Sequence, residues 1–186
     1  MTDIPIRPAG LRDLAAITRI YEHAVRHGTA SFEIEPPDEK EMTRRYEALR
    51  AGKYPYLVAE IGGAIAGFAY AGPYRARPAY HWSLEDSIYI APQSQRRGIG
   101  RGLLARLIAD AEAGGFRQMI AVIGDSANAA SLALHSRHGF YVIGALSSVG
   151  YMFGRWSDAV FMQRSLSEGD TTLPPRARAA KRRKPR

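Results

Sequence analysis

Gln95-Arg96-Arg97-Gly98-Ile99-Gly100 separates a β-prone run, Ser87-Ile88-Tyr89-Ile90, from a stretch whose apolar residues recur at helical spacing. Strand, glycine loop, helix is an arrangement that aims unpaired backbone N–H groups and the positive helix end at one place, where a phosphate can sit. The glycines let an anion approach the backbone closely. A Walker loop would end in Gly-Lys-Ser/Thr, and a Rossmann loop would read Gly-x-Gly-x-x-Gly with an acidic residue on the next strand; neither pattern is here. Read alone, the loop also allows a turn whose glycines serve only close packing.

Downstream, Ile99, Leu103, Leu104, Leu107 and Ile108 line one helical face, which Gly114-Gly115 ends. Residues 116–123 form a nearly continuous apolar run, as in a buried central strand. Residues 129–138 read as a helix stopped by Gly139, and residues 140–149 and 159–164 as two further strands. Upstream, Ile4 and Ile6 lead into Arg7-Pro8, which suits a short edge strand. Leu14, Ile17, Ile20 and Tyr21 follow at helical spacing, with Asp13 at the start to complement the helix dipole. Residues 29–37 have no period and carry Phe32, and Asp38 then opens a helix to about Leu49. Residues 56–61 and 64–70 read as antiparallel strands joined across Gly62-Gly63. A basic turn, Gly72-Pro73-Tyr74-Arg75-Ala76-Arg77-Pro78, leads to Glu85, just before the most apolar part of the next strand. The expected order is β-α-α-β-β-β-α-β-α-β-β, an α/β chain without internal repeats.

A chain of 186 residues with 46% hydrophobic and 24% charged residues can bury a normal core in one domain. That domain is expected over residues 1–166, with a basic, solvated, disordered tail over 167–186. The tail holds +5 of the formal +8 charge and its Pro174-Pro175 pair precedes an Ala-Arg-Lys composition. Nucleic acid is therefore a weak reading, confined to the tail, because the body has no basic stripe with interleaved aromatics. The absence of cysteine excludes disulfides, thiolate metal sites and a cysteine acyl-enzyme. No histidine and carboxylate spacing suggests a metal. No apolar stretch approaches the roughly 20 residues that span a bilayer, and residues 1–5 lack a secretory pattern, so a cytoplasmic protein is expected.

The run from Ile88 to Gly100, with Asn128-Ala129-Ala130-Ser131 and Gly139-Phe140, resembles the GNAT family of N-acetyltransferases over most of residues 4–166. Tyr70-Ala71-Gly72-Pro73-Tyr74-Arg75-Ala76-Arg77, Ala121-Val122-Ile123-Gly124, Ser131-Leu132-Ala133-Leu134-His135 and Phe153-Gly154-Arg155-Trp156 are similar to its phosphinothricin and methionine sulfoximine acetyltransferase branch. The resemblance implies the GNAT fold: a mixed sheet of about seven strands, splayed between the fourth and fifth, flanked by about four helices. It implies acetyl-coenzyme A as co-substrate, with Ile88, Tyr89 and Ile90 pairing with the pantetheine arm. Gln95, Arg96, Arg97, Gly98, Ile99, Gly100 and Arg101 would hold the pyrophosphate, and Asn128, Ser131 and Arg137 would lie nearby. Asn128 also suits a helix cap.

Forming an amide requires a neutral amine, so a base must take the ammonium proton. The resemblance places Glu85 there, with His135 as the acid for the departing thiolate or as an alternative base. Arg75 and Arg77 can fork onto carboxylate or phosphinate oxygens of a small amino-acid-like substrate, with Phe32 as a pocket wall. Met152 departs from the branch, where lysine is common. A homodimer is implied, with Gly154-Arg155-Trp156 as candidate interface. Acetylation of protein N-termini or polyamines is the competing activity within the same fold.

Overall fold

The computed structural model describes residues 4–174. Seven strands form one mixed sheet: β1 Ile6–Pro8, β2 Tyr56–Ile61, β3 Ala64–Pro73, β4 Ser83–Ile90, β5 Gln118–Gly124, β6 Tyr141–Met152 and β7 Arg155–Ser165. Four helices cover it: α1 Leu14–His27, α2 Glu39–Ala51, α3 Ile99–Ala113 and α4 Ala129–Arg137. The strand order is β1-β2-β3-β4-β5-β7-β6, antiparallel throughout except for the parallel pair β4–β5. The right-handed β4-α3-β5 crossover expected of such a pair puts α3 at the end of β4.

Both sheet faces are covered, which is why the central strands are apolar on both sides. On one face α1 and α2 bury Leu14, Ile17, Ile20, Tyr21, Met42 and Tyr46 against Tyr56, Val58, Phe68 and Tyr89. On the other, α3 buries the five residues of its expected face, with Ala111, against Leu57, Ala69, Leu84, Met119 and Met162.

Two strand boundaries differ from the expectation, and Asp13, at the expected helix start, has a further role. Asp13 precedes α1 without capping it by its side chain. Its buried carboxylate instead accepts from Arg7 Nη1 and Nη2 at 2.7 and 2.9 Å and from the Gly10 N–H at 2.8 Å, tying β1 to the helix start. β4 begins at Ser83, so Glu85 lies within the strand, opposite Gly72 of β3 and Ile120 of β5. β6 and β7 are longer than their apolar runs, because they continue as a hairpin in which Gly150, Tyr151 and Met152 pair with Ser157, Trp156 and Arg155.

Of the expected tail, residues 167–174 are described and fastened to the body. Buried Arg117 donates from Nη2 to Thr172 Oγ1 at 3.1 Å and to the Leu173 carbonyl at 3.2 Å, and Gly169 is buried. The disorder expected for the remainder concerns residues 175–186, which lie outside the described residues. No helix among the described residues is long and apolar enough to cross a membrane.

Candidate active site

β4 and β5 pair from Ser83↔Gln118 to Asp86↔Ala121 and then stop, although β4 continues to Ile90 and β5 to Gly124. A cleft of about 830 Å³ opens at this divergence. Residues 87–90 form one wall and residues 121–124 the other, with the Gln95–Gly100 loop and α4 on one side and α1 with residues 28–32 on the other. A second cleft of about 760 Å³, between α1 and the β2–β3 hairpin, is lined by Arg7, Arg12, Asp13 and Glu60 and contains no expected site residue.

The loop joining β4 to α3 owes its shape to two left-handed residues, Arg96 (φ 58) and Gly98 (φ 83). Helix α3 starts directly after Gly98, whose carbonyl accepts the first helical bond from Gly102 N at 3.1 Å. A Cβ on Gly98 would meet nothing within 4 Å. Glycine is thus favoured by the backbone angle, and the space above it is open to a ligand. Gln95, Arg96, Gly98, Ile99, Gly100 and Arg101 border the cleft, with the N–H groups of a helix start among them. Arg97 is exposed and is not among the residues that border the cleft.

Across the cleft, Asn128 caps α4 by accepting from Ser131 N at 3.1 Å. The loop that delivers it is braced by the β6–β7 hairpin. Arg155 pairs with Asp125, Ser126 Oγ donates to Asp158 Oδ2 at 2.7 Å, and Asp158 Oδ1 accepts from Ser148 N at 2.9 Å. Arg137, at the far end of α4, is exposed and does not reach the cleft.

Where the strands part, two adjacent carboxylates leave opposite faces of β4 and both border the cleft. Glu85 is partly buried, on the α1–α2 side. Burial pushes its carboxyl above the ordinary value, the charge of Asp86 adds to the rise, and Arg75 opposes it. Asp86, on the α3–α4 side, is buried, with His135 Nε2 3.0 Å from its Oδ2. His135 Nδ1 donates to the Ser131 carbonyl at 2.8 Å, which fixes the proton on that nitrogen. Burial lowers the His135 pKa, but the hydrogen bond to Asp86 and its charge outweigh this, and the net shift is upward. Both ring nitrogens are therefore engaged, and neither is offered to a ligand in this arrangement.

The far end of the cleft is closed by the chain between α1 and α2. The Phe32 ring packs on Gly150 of β6, where a Cβ would stand 2.3 Å from Phe32 Cε1. The Thr29 carbonyl packs on Gly124 of β5, where a Cβ would stand 2.0 Å from its oxygen. Only glycine permits either approach. Behind Phe32, Tyr21 OH lies 3.0 Å from Ser31 Oγ and donates to Glu33 at 2.8 Å, and Arg45 holds Glu33 at 2.6 Å. Among the described residues no three His, Asp or Glu side chains converge as a metal site.

Residues 6–161 match the acetyltransferase (GNAT) domain. The chain belongs to the GNAT acetyltransferase family. This GNAT chain is 57% identical over 162 residues to the phosphinothricin N-acetyltransferase of Alcaligenes faecalis, covering 87% of itself and 82% of that protein. It is 42% identical over 163 residues to an L-methionine sulfoximine/L-methionine sulfone acetyltransferase of Salmonella typhimurium, covering 88% of itself and 95% of that protein. The crystal structure of a phosphinothricin acetyltransferase of Sinorhizobium meliloti in complex with AcCoA superposes with TM-score 0.91 at 45% identity, covering 94% of each chain. The protein is an N-acetyltransferase, and its sheet has the GNAT split between β4 and β5.

Within this GNAT site the structure gathers Glu85, Ile88, Tyr89, Ile90, Gln95, Arg96, Gly98, Ile99, Gly100, Arg101, Asn128, Ser131, His135 and Phe32 around one cleft. Arg97, Arg137, Arg75 and Arg77 stand outside its lining. Arg75 stacks on the Tyr74 ring at 5.0 Å, yet its charge is felt by Glu85; Arg77 is exposed before a short 3-10 turn. Met152 is buried at the end of β6. Asp86 is among the lining residues that the sequence did not point to. Its only signal there is an acid inside a β-prone run, and its partner lies 49 positions away.

Proposed function

We propose that this GNAT enzyme transfers the acetyl group of acetyl-coenzyme A to the α-amine of a small amino-acid analogue of the phosphinothricin, methionine sulfoximine or methionine sulfone type. The observation that carries the reading is the single cleft. It joins an anion-binding helix start at Gly98 to a partly buried carboxylate at Glu85, across the point where β4 and β5 part. The 57% identity to the Alcaligenes faecalis enzyme supports the substrate class.

The residues present fit the donor. The open space above Gly98, the N–H groups of the first α3 turn and the charges of Arg96 and Arg101 suit a pyrophosphate. Residues 87–90 pair with β3 on one side, and on the side toward β5 their main chain has no partner strand, which suits an amide-bearing arm. When bound, the donor supplies an activated acetyl thioester. Glu85 takes a proton from the acceptor's ammonium, directly or through one water, and so frees the lone pair that forms the new C–N bond; the thioester C–S bond breaks in turn, and the departing thiolate takes up the second proton that the nitrogen loses. Backbone N–H groups near Ile90 stabilise the charge that develops on the acetyl oxygen. Phe32 walls the acceptor, and Arg75 draws its acidic group toward the β3–β4 turn. With both nitrogens of His135 engaged, its part is to hold Asp86 and α4 together.

We also propose a homodimer built on β6. Tyr141, Val142, Ile143, Leu146, Val149 and Tyr151 are each at least half exposed on this edge strand, and Trp156 of β7 joins them. An apolar edge of this length is unusual in a chain that stays alone.

Release of free thiol from acetyl-coenzyme A, followed over a panel of amines, tests the activity. Phosphinothricin, methionine sulfoximine and methionine sulfone should turn over well ahead of N-terminal peptides and polyamines. A preference for peptides or polyamines would overturn the substrate class.

A further inference from the structure

The floor of the cleft holds one atom that the acetyl-transfer reading leaves without a task. Asp86 is 7% exposed and is the last residue of β4 to pair with β5, opposite Ala121. Its two oxygens are used unequally. Oδ2 faces His135 Nε2 at 3.0 Å, while Oδ1 is buried with no hydrogen-bond partner. Because His135 Nδ1 is committed to the Ser131 carbonyl at 2.8 Å, the imidazole cannot swing to serve both oxygens. The carboxylate is thereby held in one orientation, with a free acceptor on a residue that borders the cleft.

Native proteins rarely bury a carboxylate oxygen without a donor, because the group gives up water and receives nothing in return. Asp86 borders the cleft, so a small shift of the lining as a ligand binds would bring Oδ1 within reach of a donor there. Both molecules of the proposed reaction carry N–H groups, and among the described residues no side chain or main-chain group donates to Oδ1.

We infer that Asp86 is a ligand-contacting residue whose Oδ1 accepts a hydrogen bond from an N–H of a bound substrate, with His135 as the positioning residue that aims it. The inference rests on the proposed acetyl transfer for the identity of the two N–H sources, the amides of the coenzyme A arm and the ammonium of the acceptor. A charged acceptor makes a stronger hydrogen bond to either source than a neutral one would. An oxygen fixed from behind gives up little freedom when the ligand arrives.

The test compares Asp86→Ala with Asp86→Asn in the full chain, measuring acetyl-coenzyme A affinity by calorimetry, KM for each substrate, and thermal stability. Asparagine can turn its NH2 to His135 Nε2 and leave its oxygen in the Oδ1 position, so it keeps the acceptor and loses only the charge. Asp86→Ala should weaken binding of one substrate by about tenfold or more, and Asp86→Asn should recover most of that loss. Weaker acetyl-coenzyme A binding assigns the contact to the arm. A raised KM for the acceptor alone assigns it to the ammonium. If Asp86→Ala does not fold, Asp86→Val with His135→Phe removes both buried polar groups together and gives the same readout. Folded variants that bind both substrates within about twofold of the native chain overturn the inference, as does an equal loss in the alanine and asparagine variants. Failure of the native enzyme to acetylate any amine overturns the proposed function instead, and calorimetry with acetyl-coenzyme A still reads the contact to the arm.

Discussion

The imidazole of His135 and the carboxylate of Asp86, 3.0 Å apart and both buried, join α4 to β4 at the residue where the sheet divides. The folded state holds the His135 proton more tightly than the unfolded chain, whose ordinary value is 6.5. This contribution to stability is therefore complete below about pH 6.5 and is lost as pH rises through the raised folded value. Asp86→Asn removes the cause of the rise and leaves burial, which acts in the opposite sense. Urea midpoints measured from pH 6 to 9 should fall for the native chain and show that slope weakened or reversed in the variant. Parallel slopes would show that the pair does not share its proton this way.

Glu85→Gln should lower kcat by about 100-fold or more while leaving acetyl-coenzyme A affinity unchanged. In the native enzyme kcat/KM should rise with pH on an acid limb lying above 4.5, the ordinary value of this carboxyl. Arg75 opposes the upward shift, so Arg75→Ala should carry that limb to still higher pH besides raising KM for the acceptor. A Glu85→Gln enzyme with native turnover would remove Glu85 as the base.

Gly98→Ala places a side chain at φ 83 in open space. The cost is backbone strain alone, about 1–2 kcal/mol of stability, with weaker acetyl-coenzyme A binding as the loop relaxes. Thermal melts and calorimetry on the same preparations check both. Full retention of each would mean that the loop tolerates another shape.

Gly150→Ala should act on the acceptor alone. Its methyl group would stand 2.3 Å from Phe32, so the ring must move. Overpacking of this kind costs about 1–3 kcal/mol, and a rise in acceptor KM without a change in acetyl-coenzyme A affinity is the expected result.

Charges placed on β6, as in Leu146→Lys with Val149→Glu, should convert the proposed dimer to a monomer in sedimentation. These side chains are 50% and 52% exposed, so the folded chain itself has no reason to lose stability. A native chain that sediments as a monomer would settle the matter against the dimer.

The parts of this fold that sequence reveals are those held by local periodicity. Ile99, Leu103, Leu104, Leu107 and Ile108 repeat at helical spacing and all are buried in α3, and the glycine loop before them has its left-handed turn. What escapes is decided by partners distant in the chain. Ser83, Glu85 and Asp86 look like the end of a turn until β3, β5 and His135 are seen beside them. Ser157 and Asp158 lie outside the expected strand, yet β7 begins at Arg155 because β6 pairs with Arg155, Trp156 and Ser157 before β5 joins at Ala159. The contact of Phe32 with Gly150 joins segments that no local pattern relates.

Beyond Asp86 and Ala121, two rows of main-chain groups face one another without pairing, an edge in the interior of a sheet rather than at its rim. A coenzyme arm lying along that edge is in effect an eighth strand lent from outside the chain. If the donor binds as proposed, folding and metabolite supply are linked. At a donor concentration one hundred times its dissociation constant the native state gains about 2.7 kcal/mol. Much of the resistance of such an enzyme to proteolysis would be set by the acetyl-coenzyme A level of its cell, and its lifetime would report on that pool.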